Sequence, residues 1–327
     1  MVFIYANASR KLGFGHIMRQ IALIEALIDQ NQQVFLLCHE ITQELVLKLE
    51  ATGVKVCQLE AEADWVQKLP EMNTLIVDDY NVSDADFEQL RKKAKRLVLF
   101  DDNTYLNLPF LDLIINPSDF NKTDLLANKT LQGSDFRLVR SEFIPYRSRP
   151  RFKPGYIFVC LGGSDAQALS VAICKMLLTS QQVTKIVLAV SSTCDHRTLY
   201  ALEGLKSSTK FELHIDSNKL PMLMSDADIA ITGAGGSLYE LMFLGVPSIA
   251  LVVANNQSQA LYSPLNNNAY SAIDGREEID IINIVDTALL LLDSADKKNV
   301  YTQQSAKVVD GLAASRICDA ILHLIRH

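Results

Sequence analysis

The stretch Val2-Phe-Ile-Tyr-Ala6, continued by Asn7-Ala-Ser-Arg-Lys-Leu-Gly13-Phe-Gly15-His16-Ile-Met-Arg19, decides how this chain is read. Five apolar residues form a strand, a glycine-containing turn follows, and a helix opens at His16. Ile17, Ile21, Ile24 and Ile28 recur at helical spacing, so one face of that helix meets a sheet. The imidazole therefore stands at a helix N-terminus, beside glycines that let a ligand approach the backbone. Free amides and the positive end of the helix dipole favour anions there and disfavour imidazolium. A neutral histidine next to a bound anion is suited to act as a general base near pH 7. The plain alternative is a tight strand-to-helix turn with a surface histidine. Arg19 shares the helical face of His16, either as a solvated charge or as a guanidinium facing ligand.

Working outward, the first half alternates apolar runs with amphipathic segments. Strands are expected at Val2–Ala6, Gln33–Cys38, Val54–Cys57, Thr74–Val77, Leu97–Phe100 and Leu113–Ile115, and helices near Glu40–Thr52 and Ser83–Lys95. Such alternation builds a parallel sheet with helices on both faces. Ile144-Pro-Tyr-Arg-Ser-Arg-Pro-Arg-Phe-Lys-Pro154 then places three prolines and four cations in one short segment. It reads as an interdomain linker. The alternation restarts with strands at Tyr156–Cys160, Lys185–Val190, Phe211–His214, Asp228–Ile231 and Pro247–Val252. A helical tail over Asp293–His327 could return to the first domain. The expected architecture is two Rossmann-like domains, 1–147 and 148–327, with parallel sheets facing each other across a ligand-binding cleft.

A length of 327 residues leaves each half enough chain for its own core. The net charge of −7 comes with no basic run, which argues against nucleic acid or an anionic membrane as partner. Six cysteines (Cys38, Cys57, Cys160, Cys174, Cys194, Cys318) form no CxxC pair and sit mostly in apolar runs, as buried thiols of a reducing compartment do. No signal peptide or membrane span is visible, so a cytoplasmic location is expected.

Further features of these turns and strand ends bear on chemistry. Gly13-Phe-Gly15 is only part of a dinucleotide fingerprint, although Glu40 nearly ends the second strand. Leu161-Gly-Gly163-Ser164-Asp165 and Thr232-Gly-Ala-Gly235-Gly236-Ser237-Leu-Tyr-Glu240 are glycine-rich strand-to-helix turns that could converge on one diphosphate. Ser237 and Glu240 also match a capping box, and the same carboxylate could instead accept from ribose hydroxyls. No lysine follows these glycines, so a Walker-type site is not expected. Asp78-Asp79-Tyr80 and Asp101-Asp102 end strands and could send a carboxylate to substrate. Neither pair has the further ligands a metal needs, and no metal or cofactor is expected.

These segments together resemble a known family. Ala8-Ser9-x-x-Leu-Gly13-x-Gly15-His16-x-x-Arg19, Val77-Asp-Asp-Tyr80, Phe100-Asp-Asp102, Phe136-Arg-Leu-Val-Arg140-x-Glu-Phe143 and Leu161-Gly-Gly-Ser-Asp165 are similar to the UDP-sugar hydrolases of pseudaminic acid biosynthesis (PseG). So are Ser225-Asp-Ala-Asp228, Ala234-Gly-Gly-Ser237-x-x-Glu240, Leu244-Gly-Val-Pro247, Asn256-Gln257 and Val309-Asp-Gly311. The family has the GT-B fold and is related to the GlcNAc transferase of peptidoglycan synthesis.

The resemblance implies hydrolysis of UDP-2,4-diacetamido-2,4,6-trideoxy-β-L-altropyranose to UDP and free sugar, with inversion and without metal. The product would serve glycosylation of flagellin or of surface polysaccharide. It further implies that His16 activates water, while Tyr80 and Asn256 position water and sugar. Amides near Gly163, Ser164 and Gly235–Ser237 would hold the diphosphate and Glu240 the ribose. Gly13, Gly15, Arg19 and Gln257 would complete the substrate contacts of an expected monomer. Tyr5 and Asn7 stand where the family has arginine and an acidic residue, which bears on the sugar isomer. Asn255 competes with Asn256 for its role. A GT-B glycosyltransferase, a UDP-GlcNAc 2-epimerase and a non-catalytic sugar-nucleotide sensor are the other readings.

Overall fold

The computed structural model describes residues 1–8, 15–101, 108–118, 129–147, 153–162, 168–277 and 279–326. The chain divides into two compact units, 1–140 with 311–327, and 141–310.

The first unit runs β1 (Val2–Ala6), α1 (Gly15–Asp29), β2 (Val34–Cys38), α2 (Gln43–Glu50), β3 (Lys55–Gln58), β4 (Met72–Asp78), α3 (Asp84–Lys93), β5 (Ala94–Phe100), β6 (Leu113–Asn116) and β7 (Thr130–Gln132). Its seven strands lie parallel in the order β3-β2-β1-β4-β5-β6-β7, so the strand order reverses between β1 and β4. That reversal is the place where an open α/β sheet leaves a crevice for ligand. β1 is buried along its whole length, as expected of a central parallel strand covered on both faces. Ile17, Ile21, Leu23, Ile24 and Leu27 of α1 pack on one face of the sheet with Ile4, Leu36, Ile76 and Val98. Phe87 and Leu90 of α3 cover the other face, against Leu75, Val77, Leu97 and Leu99. Ser83 caps α3 in a full capping box with Asp86, which fixes where that helix begins.

The second unit repeats the scheme. It contains β8 (Tyr156–Cys160), α4 (Leu169–Leu177), β9 (Lys185–Val190), α5 (His196–Leu205), β10 (Phe211–Ile215), α6 (Leu220–Ser225), β11 (Ile229–Gly233), α7 (Gly236–Leu244), β12 (Ser248–Val252), α8 (Gln259–Tyr262), β13 (Ser271–Asp274), α9 (Ile281–Asp293) and α10 (Ala295–Val308). The parallel order β10-β9-β8-β11-β12-β13 reverses between β8 and β11. α7 stops at Gly245, whose left-handed φ of 68° suits glycine and ends the helix two residues before Pro247. Finally α11 (Ala313–Arg326) rejoins the first unit. Ile317, Cys318, Ile321 and Leu322 join the core beneath α1, and Arg96 Nε donates to the Leu324 carbonyl at 3.0 Å.

The structure differs from the sequence expectation in four places. The edge strands β7 and β13 were not expected: one is three residues long and the other begins with serine and alanine, so neither carries an apolar run. The helical tail is interrupted around Gly311, whose φ is +82°. The start of the expected linker is ordered as a 3-10 turn, Ser141–Tyr146, around the buried Phe143. The first crossing between units falls after Arg140 rather than at 147, because residues past it are anchored in the second unit. There Arg147 stacks over Phe243 at 4.8 Å and donates to the Ala306 carbonyl at 3.1 Å. Among the described residues, no helix is long and apolar enough to cross a membrane.

Candidate active site

In the first unit, chemistry gathers at the β1/β4 reversal. Register places Ala6, the last residue of β1, beside Asp78 at the carboxyl end of β4. His16 is the second residue of α1, and Arg19 and Gln20 follow three and four positions on, along the same face. All three meet Asp78, which is fully buried. His16 Nδ1 lies 2.6 Å from Asp78 Oδ1, and Arg19 Nη2 donates to the same oxygen. Arg19 Nε at 2.7 Å and Gln20 Nε2 at 2.6 Å donate to Oδ2.

Burial by itself would raise the Asp78 pKa. The charges of Arg19 and His16 and the hydrogen bonds of both overcome it, and the carboxyl is held well below the ordinary carboxylate range. An ionised Asp78 can only accept, so the neutral imidazole carries its proton on Nδ1 and leaves the Nε2 lone pair outward. Among the described residues, Nε2 has no hydrogen-bond partner. Tyr80 stands edge-on to the imidazole, ring centroids 4.4 Å apart, and is 41% exposed. Arg19 lies over Phe100 at 5.6 Å. Its Nε and Nη2 are thus committed to Asp78 rather than to solvent.

The acidic strand ends serve the protein more than a ligand. Asp78 is the anchor just described. Asp79 is also buried, accepting from Asn7 Nδ2 at 2.6 Å and from Asn81. Asn7 accepts in turn from the His39 and Glu40 amides at 2.7 and 3.1 Å, which ties the ends of β1, β2 and β4 together. Tyr5 stacks on Trp65 at 4.8 Å behind this network. Asp101 is buried as well, and Asp102 lies outside the described residues, as do Gly13, Gly163 and Ser164. Gly15 opens α1 and is exposed. The anchoring role of Asp78 was missed in the sequence. The available signal was Gln20, a polar residue at an apolar-face position, which demands a buried partner.

The second unit brings its glycine-rich turns together. Gly233 ends β11 so close to β8 that a side chain there would meet the Leu161 carbonyl at 3.4 Å. Gly162 follows with φ +96°, a conformation open to glycine. α7 starts after Gly235 with no side-chain cap, so Ser237-x-x-Glu240 is not a capping box: both residues lie inside the helix. The first-turn amides at Gly236 and Ser237 are thus left without a capping side chain.

Gln257 Oε1 accepts from Val253 N at 3.0 Å, and its Nε2 lies 3.8 Å from where a Gly235 side chain would start. Glu240 is buried one turn into α7. Asn255 Oδ1 accepts from Arg276 at 3.3 Å, whereas the exposed side chain of Asn256 has no partner among the described residues. Asp228, another signature residue, is a structural brace: it accepts from Lys298 at 2.8 Å and from the Gly155 amide at 3.0 Å.

The chain matches no protein-family model. It is similar to the UDP-2,4-diacetamido-2,4,6-trideoxy-beta-L-altropyranose hydrolase of Campylobacter jejuni, 25% identical over 268 residues, 78% of this chain and 93% of that protein. The spore coat polysaccharide biosynthesis protein SpsG of Bacillus subtilis is 25% identical over 281 residues, 79% of this chain and 78% of that one. An uncharacterised protein of Methanocaldococcus jannaschii is 24% identical over 76% of this chain, and the match spans only 55% of that longer protein. Among solved structures, MurG of Acinetobacter baumannii aligns over 98% of this chain and 99% of its own, with TM-score 0.65 and 13% identity. The chain has the GT-B fold. Anabaena HepE in complex with UDP-glucose aligns with TM-score 0.61 and 13% identity over 99% of both chains. The two sheets each carry one reversal of strand order, β1/β4 and β8/β11, and the resemblance to the hydrolases extends over 78% of the chain.

Proposed function

We propose that this chain hydrolyses UDP-2,4-diacetamido-2,4,6-trideoxy-β-L-altropyranose, or a close isomer, to UDP and the free sugar. The observation that carries the reading is the state of His16: Nδ1 is committed to a buried carboxylate, Nε2 is open, and the exposed Tyr80 ring stands beside it. In this reading Nε2 takes a proton from water while the water oxygen attacks the anomeric carbon. The bond from that carbon to the diphosphate oxygen breaks, UDP leaves with the electron pair, and the sugar is released inverted. General-base assistance of this kind contributes about 10²–10⁴-fold.

Roles divide between the units. The first unit supplies the base, with Tyr80 steering water and sugar. The second unit supplies amides at Gly235, Gly236 and Ser237 to meet the charge of the departing diphosphate, a fixed-dipole contribution that costs no reorganisation. Asn256, with its side chain open, is assigned to the sugar in preference to Asn255. Glu240 is assigned to the ribose and Gln257 to the edge of the amide cradle. Gly163 and Ser164 keep the diphosphate role, and Gly13 the substrate contact, that the family resemblance implies.

Incubating purified protein with the UDP-sugar and no acceptor, in ¹⁸O-labelled water with NMR detection, tests this directly. Steady UDP release, label on the anomeric oxygen and inverted first product are expected. A glycosyltransferase is the second reading, favoured by the likeness to MurG. Dependence of UDP release on an added acceptor would establish it and remove the hydrolase.

A further inference from the structure

Asp78 receives hydrogen bonds from three side chains on one face of a single helix, and those of His16 and Arg19 converge on the same oxygen. We infer that Asp78, with Arg19 as its counter-charge, is the positioning residue that holds His16 in the Nδ1–H form and sets how readily Nε2 takes a proton. Only the last step rests on the hydrolase reading. The geometry gives the two charged partners opposite effects on the ring. Asp78 Oδ1, 2.6 Å from Nδ1, favours the doubly protonated imidazolium. Arg19 Nη2, 3.4 Å from the same nitrogen, opposes it. The Asp78 carboxylate favours the protonated ring, and a protonated ring cannot serve as a base. The guanidinium offsets part of that pull while keeping Asp78 ionised.

Other groups near the ring are placed differently. Tyr80 presents its edge to the imidazole, and Asp79 is turned to Asn7 and Asn81. On β5, Phe100 lies against Arg19, with Asp101 next in the chain. Gln20 adds no charge and pins Oδ2, so the carboxylate cannot rotate away from the imidazole. Asp78 is therefore expected to act through His16 and not on substrate.

The test is ¹⁵N NMR of the His16 ring in the ligand-free protein, followed through a pH titration and joined to a kcat–pH profile. In the wild type, the neutral ring should show protonated Nδ1 and bare Nε2. Relative to wild type, D78N should move the midpoint of ring protonation down and R19M should move it up, each by about one pH unit. The acid limb of kcat should follow the midpoint in both variants. D78N should lower kcat at least about tenfold with KM within about threefold, because it releases the tautomer rather than a substrate contact.

The wild-type tautomer needs no variant to fold. An Nε2–H ring in the wild type, or midpoints that move the same way in both variants, overturns the inference. The ring measurements need no turnover, so absence of UDP release would sink the hydrolase reading while leaving this one decided by NMR.

Discussion

The two sheets reverse their strand order in the same way, at β1/β4 and at β8/β11, yet what stands at the two carboxyl ends differs in kind. In the first unit the end is built from charge: a buried aspartate, a guanidinium, an imidazole and a second buried aspartate wired to Asn7. In the second unit it is built from backbone: glycine turns, an uncapped helix start and the side-chain amide of Gln257. Charged side chains can accept and release protons, whereas backbone dipoles can only stabilise charge already formed. On the proposed reading, the same topology would carry two separable tasks, proton transfer in one unit and leaving-group stabilisation in the other.

The strongest way to break that division is H16N. Turnover should fall about 10²–10⁴-fold, while UDP affinity measured by calorimetry stays within about twofold, since the variant touches no amide of the second unit. Parallel loss of UDP binding would show that His16 belongs to the anion site and that the two tasks are not separate.

Next in size is D78A, read as stability. Removing the carboxylate breaks the Arg19–Asp78 pair in a largely buried setting, and breaking a buried pair costs about 3 kcal/mol. The pH dependence has a definite sign. The Asp78 carboxyl is depressed in the native state, so its contribution is fully present above the unfolded value of about 3.9 and is lost as pH falls through the lower native value. Urea unfolding should therefore show a gap between wild type and D78A that narrows as pH falls below about 4. A gap that widens below about pH 4 would mean that Asp78 is protonated in the folded protein, and the charged character of this sheet end would have to be given up.

The contrast between the units also explains what the sequence could disclose. Strands such as β1, β8 and β9 were legible because a central parallel strand must be apolar on both faces, and their runs are unbroken. β7 and β13 were not, because an edge strand needs no such run. His16 was legible as a candidate from its place at a helix start. Its partner was not: Asp78-Asp79 reads as two carboxylates of equal prospect, and only the fold assigns one to Arg19 and the other to Asn7. Spacing was also ambiguous in the second unit. Ser237 and Glu240 stand three apart like a capping box, but the helix begins at Gly236, so the pair sits a turn too deep to cap it.

In the second unit the sharper probe is a glycine. A methyl at Gly235 would meet nothing nearer than Gln257 Nε2 at 3.8 Å, and the backbone φ of −122° is open to alanine. G235A should therefore fold with a melting temperature close to wild type. A methyl at the helix mouth keeps an anion off the amides, so UDP affinity should drop about tenfold, or about 1.4 kcal/mol. Unchanged affinity would remove the first turn of α7 from diphosphate binding.

The smallest expected effect separates the ribose from the diphosphate within that unit. Glu240 lies one turn beyond the uncapped start of α7, buried, with the capping role excluded by the position of Gly235. If its carboxylate accepts from a ribose hydroxyl, E240Q keeps the shape and loses only the charge-assisted part of the bond. UDP should then bind about three- to tenfold more weakly, while 2′,3′-dideoxy-UDP should bind wild type and E240Q alike. A double-mutant cycle with G235A should show additivity, because one variant acts on the sugar and the other on the phosphates. Equal losses for both nucleotides would instead assign Glu240 to holding α7 in place, and the second unit would then recognise its ligand through backbone dipoles and uncharged amides.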